Sequence, residues 1–347
     1  MTQNRWVSWM QRYGMFVILL LLCLVLGLLN ERFFTTANLL VVTRQAAING
    51  LLAAGMTLVI LTGGIDLSVG SVLALAGAVS AGTLASTGDL PLAILAALAV
   101  GTLLGLINGW FIAYPNLPPF IVTLATMAWA RGLTLVYTGG RPILVRDAAY
   151  RFIGGGYLGP LPMPVVILLS TYLVLWIFLT RTRWGRLVYA VGGNEQACRL
   201  AGIPVPRVKV FVYTLSGFFA GLTGLVLTAR LVSAQPTAGT GYELDAIAAV
   251  ILGGTSLAGG RGSILGTLVG ALIMGVLDNG LNLMNVSPFY QEVAKGLVIL
   301  AAVLLDWALH RAGALGLRPD LSGRASRAEG SGPAQAQASG PGVSGSD

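Results

Sequence analysis

Polar side chains set in otherwise apolar stretches are where this chain would do chemistry. Asp66 sits in LTGGIDLSVGS, and Glu243 and Asp245 sit in TGYELDA. Asn108, Asp278, Asn279 and Asn282 fall inside apolar runs, and Arg131 and Lys295 are the basic residues of the similar strings ARGL and AKGL. An acid in such surroundings lines water, pairs with a cation or caps a helix. Asp66, Ser68 and Asp245 stand where segments begin, so capping and a path-lining or gating role are both open. The asparagines suit hydrogen bonding to a neutral solute, or gluing helices together. Lys295 has Glu292 one turn before it as its partner nearest in sequence. Missing are a nucleophile–base pair, a His/Cys/acid cluster with metal-ligand spacing, and a GxxxxGK[ST] phosphate loop. The single histidine, His310, stands at the end of the last apolar run. The chain is therefore expected not to bind ATP in the P-loop manner and to hold no metal. So few buried ionisable groups also make a poor proton relay.

The longest polar interruption, residues 181–209, reads RTRWGRLVYAVGGNEQACRLAGIPVPRVK. It holds six Lys or Arg and one acid, Glu195. A short helix over 195–201 is expected inside it. Asn194 caps the start, Glu195 complements the dipole in the first turn, Gly202 supplies a left-handed exit, and Pro204 stops the chain. A plain solvated linker would need neither the cap nor the glycines (Gly192, Gly193) that precede it.

The elements around these residues follow from composition. The 347 residues are 55% hydrophobic and only 10% charged, with mean hydropathy +0.80, against roughly 25% charged in soluble domains. The expected fold class is an all-α polytopic membrane protein. A span needs ~20 apolar residues. Ten segments are expected near 15–29, 43–62, 69–87, 91–113, 120–138, 163–180, 210–231, 244–258, 264–284 and 293–309. The first and eighth are short enough to be broken or re-entrant. The first is read as an uncleaved span after a cytoplasmic N-terminus (1–14), with Trp6, Trp9 and Tyr13 as an interfacial anchor. An even count puts both ends on one side, and the positive-inside rule makes that side the cytoplasm, together with the central loop. The net charge of +8 reflects this topology, not nucleic-acid binding. The segment 139–162 runs against the rule, with Arg141, Arg146 and Arg151 outside. The transmembrane domain is expected over 15–310. The Gly/Ser/Ala/Pro-rich tail, 311–347, is expected to be disordered.

An internal repeat joins the segments. GLLAAGMTLVILT matches GFFAGLTGLVLTA, GIDL matches GYEL, LING matches LDNG, PF matches PF, and ARGL matches AKGL, all in the same order. Each match pairs segment n with segment n + 5, so segments 2–5 and 7–10 cross in opposite directions. Inverted repeats of this kind are a transporter signature.

With these stretches in view, the chain resembles the membrane permease of ribose-type ABC sugar importers. GGIDLSVGS, YAVGGNEQACRLAGI, SAQPTAGTGYELDAIAAVILGGTSLAGGRGS and GVLDNGLNL carry the likeness, which runs from about residue 15 to 306. The resemblance implies a bacterial inner-membrane location and a pathway formed by two permease copies, identical or paralogous. It also implies a cytoplasmic ABC ATPase on each central loop and a periplasmic or lipid-anchored sugar-binding protein. The Glu-Ala-Ala…Gly docking pattern of related permeases is approximated by Glu195, Ala197 and Gly202, with Gln196 in place of the first Ala and the Gly one position late. The docking role therefore falls on Asn194, Glu195, Ala197, Arg199 and Gly202. The candidate path or gate residues are Asp66, Asn108, Glu243, Asp245, Asn279 and Asn282. Ribose or a similar pentose is the expected cargo, with another sugar, a signalling furanose, a nucleoside or a branched-chain amino acid as alternatives. Outside this class the alternatives are an ion-coupled carrier and a membrane scaffold or receptor without transport, the latter disfavoured by the inverted repeat.

Overall fold

A computed structural model describes residues 3–316, with side chains from Gly14 to Leu304. The apolar stretches form α1 (Gln3–Leu29), α2 (Thr36–Leu61), α3 (Val69–Thr87), α4 (Leu90–Ala113) and α5 (Pro119–Thr138) in the first half. In the second they form α7 (Met163–Arg181), α10 (Val205–Leu231), α11 (Tyr242–Leu252), α12 (Ile264–Leu283) and α13 (Pro288–Gly316). Among the described residues, seven of these are long and apolar enough to cross a membrane: α2, α3, α4, α5, α7, α10 and α12. The apolar part of α1 is shorter, Gly14–Leu29, and α11 has only 11 residues. Trp6, Trp9, Tyr13 and residues beyond 316 lie outside what is described at side-chain level. Two compact units divide the chain, residues 1–303 and 304–347. Of the second, only the helical stretch ending at Gly316 is described.

α2 is apolar all round, and a helix of that kind must be buried. Every residue from Ala46 to Leu61 is buried. α10 and α12 pack against it, and α10 also packs against α3 and, most closely, α4. Glycines permit that closeness. A Cβ on Gly217 of α10 would stand 2.8 Å from the Gly105 Cα of α4, and one on Gly105 would stand 3.0 Å from the Gly217 Cα. Small residues of this kind let backbones meet in lipid, where no hydrophobic drive pulls helices together.

Residues 139–162 form a structured platform instead of a plain loop. β1 (Ile143–Leu144) pairs antiparallel with β4 (Ser233–Ala234), and β2 (Tyr157–Leu158) pairs with β3 (Leu161–Pro162). Between them, Asp147 caps α6 (Ala148–Gly155) by accepting from the Tyr150 N–H at 2.7 Å. The buried Tyr150 hydroxyl donates to the Ser80 Oγ at 3.0 Å. Arg141, Arg146 and Arg151 are exposed on the platform.

Candidate functional site

The central loop folds into two helices. Thr182 accepts from the Gly185 N–H at 3.0 Å and starts α8 (Arg183–Gly193). This helix was not expected from the sequence. It is amphipathic: Gly185, Val188 and Val191 are buried, while Arg183, Trp184 and Arg186 stay outside. α9 (Glu195–Leu200) follows and matches the expected helix to within one residue. Its cap is the expected one, with Asn194 Oδ1 accepting from the Ala197 N–H at 2.9 Å. Gly202 takes the left-handed exit at φ 73°.

Glu195 binds Arg199 at 2.7 Å and Lys209 at 2.8 Å, tying α9 to α10. Burial works to raise the Glu195 carboxyl. The hydrogen bonds and charges of Lys209 and Arg199 outweigh it and hold the group below the ordinary carboxylate range. A lowered folded value means the pairing contributes fully at neutral pH. It is lost only as pH falls through that lowered value. Ala197, Arg199 and Gly202 are exposed. Leu200, which the sequence pattern does not single out, is 91% exposed. The available signal was a leucine on a two-turn helix that has no other apolar surface to join.

α8 ends in a junction made of main chain. A Cβ on Gly192 would fall on the Leu61 carbonyl at the end of α2, and 2.6 Å from the Gly260 nitrogen. Gly260 N–H itself donates to the Leu61 carbonyl at 2.9 Å. The Tyr189 hydroxyl donates to the Gly262 carbonyl at 3.1 Å. The central loop thus touches the end of α2 and the turn between α11 and α12 at one point.

Beside this junction, at the same end of the bundle, Asp66 is buried in a network. Asp66 Oδ1 accepts from the Ser68 N–H at 3.0 Å and its hydroxyl at 2.6 Å, and Oδ2 accepts from the Ser216 hydroxyl at 2.8 Å. Asn108 donates to the Ser68 Oγ at 3.0 Å, and Thr126 donates to the Asn108 Oδ1 at 2.5 Å. One chain of hydrogen bonds therefore links α3, α4, α5 and α10. The capping expectation fails at the segment starts: Ser68 is the N-cap of α3 but makes no side-chain cap bond, and Gly241 is the N-cap of α11. Asp66 holds Ser68, and Asp245 lies in the first helical turn. Both are committed to tertiary contacts.

The opposite end holds a second cluster. Lys295 Nζ lies 3.0 Å from Asp245 and 3.2 Å from Asp278. Glu292, the partner expected from proximity in sequence, is at 4.0 Å and largely exposed. Two buried carboxylates outcompete one that water already solvates. The buried Asn49 amide lies beside Asp278. Asn279 and Asn38 exchange amide hydrogen bonds at 2.8 and 2.9 Å. Asn282 is exposed and accepts from Gln291 at 2.9 Å. Arg131 donates to the carbonyls of Pro236 and Ala238 at 3.0 and 2.7 Å and interacts electrostatically with Glu243, which is half-buried.

Known proteins match the stretch of chain that holds the loop and the clusters. A family model described as the permease component of a branched-chain amino acid transport system matches residues 38–303. The ribose import permease of Bacillus subtilis (strain 168) is 54% identical over 299 residues, 86% of this chain and 93% of that protein. The ribose import permease of Haemophilus influenzae is 51% identical over 295 residues, 84% of this chain and 91% of that protein. The D-allose transport system permease of Escherichia coli (strain K12) is 42% identical over 298 residues, 85% of this chain and 91% of that protein. No solved structure matches the chain. The residues matched by the family model contain the central loop, the glycine junction and both polar clusters. The chain therefore belongs to the family of multi-pass inner-membrane permease subunits of ribose-type ABC sugar importers, which carry solutes and are not enzymes.

Proposed function

We propose that this chain forms the membrane pathway through which an ATP-driven importer moves ribose, or a similar pentose, by alternating access. Membership of an ABC importer family implies an ATPase and a sugar-binding protein as partners. A second permease copy, identical or paralogous, completes the pathway. ATP stays on the ATPase, and this chain needs no cofactor. Ribose is favoured because ribose permeases of several bacteria are 50–54% identical to the chain. The allose and arabinose permeases stand at 42% and 38%.

The observation that carries the mechanism is the glycine junction. A shift of α9, driven by the ATPase, passes through α8 to the end of α2 and to the turn after α11. These belong to opposite halves of the repeat. We read the chain as ten crossings, with α1, α13 and the broken segment begun by α11 added to the seven long spans. The halves are α2–α5 and α10–α13. Their packing supports an inverted arrangement: α12 packs on α2 as α4 does on α10, α11 on α2 as α3 does on α10, and α11 on α12 as α3 does on α4. The two polar clusters then fall at opposite ends, as inversion requires. Asp66 and Asn108 close the cytoplasmic end, while Glu243, Asp245, Asn279 and Asn282 belong to the outer end.

The docking surface is Asn194, Glu195, Ala197, Arg199 and Gly202, with Leu200 as its apolar anchor. Glu195→Arg places a cation against Arg199 and Lys209. Like charges juxtaposed at an interface cost several kcal/mol, so retention of the ATPase is expected to fall at least roughly tenfold. Membrane insertion should be unchanged. Full retention with full uptake would remove the docking assignment. The wider test co-purifies the chain with its ATPase in mild detergent and measures ATP hydrolysis with sugar-binding protein, with and without ribose. Stimulation by ribose-loaded protein supports the reading. An ATPase indifferent to ribose reopens the solute, and uptake without any ATPase overturns the importer mechanism.

A further inference from the structure

Where α7 gives way to α8, a groove of about 320 Å³ is lined by Arg183, Trp184, Ile203, Pro204 and Arg207, and by Gly202 of the proposed docking surface, which it therefore borders. Arg183 and Arg207 are exposed. Neither has an acidic partner among the described residues. Glu195, the one acid of the loop, is taken by Arg199 and Lys209. Arg181 and Arg186 add two more exposed cations nearby. A cluster of this kind, left without a counter-charge from its own chain, attracts an anion from outside.

Three rings set the depth of the groove. Trp184 packs on Phe211 with centroids 5.2 Å apart, and Phe211 packs on Phe178, in the last turn of α7, at 5.8 Å. Aromatic side chains gather at this level, where hydrocarbon gives way to headgroups. Leading into it, α7 presents Leu169, Leu173 and Ile177 on one face, exposed by 46%, 58% and 44%. Their four-residue spacing makes a continuous apolar strip that runs toward the arginines.

We infer that this groove binds the phosphate of an anionic phospholipid from the cytoplasmic leaflet. The phosphodiester sits between Arg183 and Arg207, the glycerol region lies against Trp184, and an acyl chain follows α7. Basic pockets between membrane helices on the cytoplasmic side suit such headgroups. A lipid fits better than an acidic segment of the ATPase, because the groove continues into hydrocarbon-facing surface. The exposed apolar anchor for a protein partner, Leu200, is on α9.

The test uses the importer complex extracted in mild detergent, exchanged into mixtures of phosphatidylglycerol and phosphatidylcholine, and read by native mass spectrometry. Wild type is expected to retain phosphatidylglycerol selectively. The double variant Arg183→Gln/Arg207→Gln is expected to retain it roughly thirtyfold less, the effect of removing two basic residues from an anionic surface. The pair Arg183→Lys/Arg207→Lys, which keeps the charge, should recover most of it. Arg146→Gln/Arg151→Gln, on the opposite platform, should behave as wild type. Retention by the glutamine pair equal to wild type overturns the inference. Displacement of the lipid by inorganic phosphate overturns it in favour of a soluble anion. Loss of the ATPase with lipid retention unchanged overturns it in favour of a protein contact.

Discussion

Lys295→Met is expected to destabilise the permease by about 3–5 kcal/mol, the usual cost of removing one partner from a buried ion pair. Lys295 is the only cation bonded to Asp245 and Asp278 among the described residues, and both acids are buried. Methionine matches the length of the lysine stem, so little packing is lost and the effect reads the charge. The two carboxylates come from α11 and α12 and the lysine from α13, so three helices lose a shared contact. Thermal unfolding in detergent checks this, as a lowered midpoint with reduced yield. Adding Asp245→Asn and Asp278→Asn to the methionine variant should restore most of the loss, since it removes the charges left unpaired. Wild-type unfolding of the single variant would show that water already solvates these acids. No recovery in the triple variant would show that the lysine acts through packing.

Gly192→Val is expected to abolish most ribose uptake, by roughly a hundredfold, while Gly193→Ala beside it changes stability by less than ~0.5 kcal/mol. The contrast is built into the geometry. Any Cβ on Gly192 falls on the main chain of Leu61, whereas one on Gly193 meets nothing within 4 Å. Close-packed main chain does not yield to an extra methyl group. Either α8 lifts away from α2 and the Gly259–Gly260 turn, or those segments part. Both outcomes break the link between α9 and the spans. The measurement is uptake of labelled ribose beside ATP hydrolysis in the same vesicles. The expected result is hydrolysis that persists but no longer responds to ribose-loaded binding protein. Normal uptake by the valine variant would mean that the junction transmits nothing. An equal loss in Gly193→Ala would mean that the whole loop is merely fragile.

Much of this architecture is legible in the order of residues alone. Nine of the ten expected apolar segments fall inside a helix to within one residue, because a run of apolar residues in lipid has few other ways to satisfy its backbone. The segment 244–258 is helical only as far as Leu252. α9 is legible to within one residue, since Asn194, Glu195 and Gly202 act through contacts three or four positions away. What escapes is long-range. The partners of Lys295 stand 50 and 17 positions earlier, so nearness in sequence points instead to Glu292. Asp66 has the look of a helix cap, but its second oxygen is held by Ser216, 150 positions on. α8 is hidden by its arginines. Its buried side, Gly185, Val188 and Val191, becomes visible only once the core it packs on exists. The platform over 139–162 escapes for a similar reason: β1 has two residues and is a strand only because β4 lies beside it.

Side chains ordinarily cushion contact between moving parts, because a rotamer can turn and absorb an ångström of displacement. At Gly192, Leu61 and Gly260 there is no such cushion. On the proposed mechanism, a stroke delivered to the loop reaches the end of α2 and the turn after α11 with no play, and its timing is common to both because the point of delivery is shared. On that mechanism both segments are driven by one stroke, so neither can run ahead of the other.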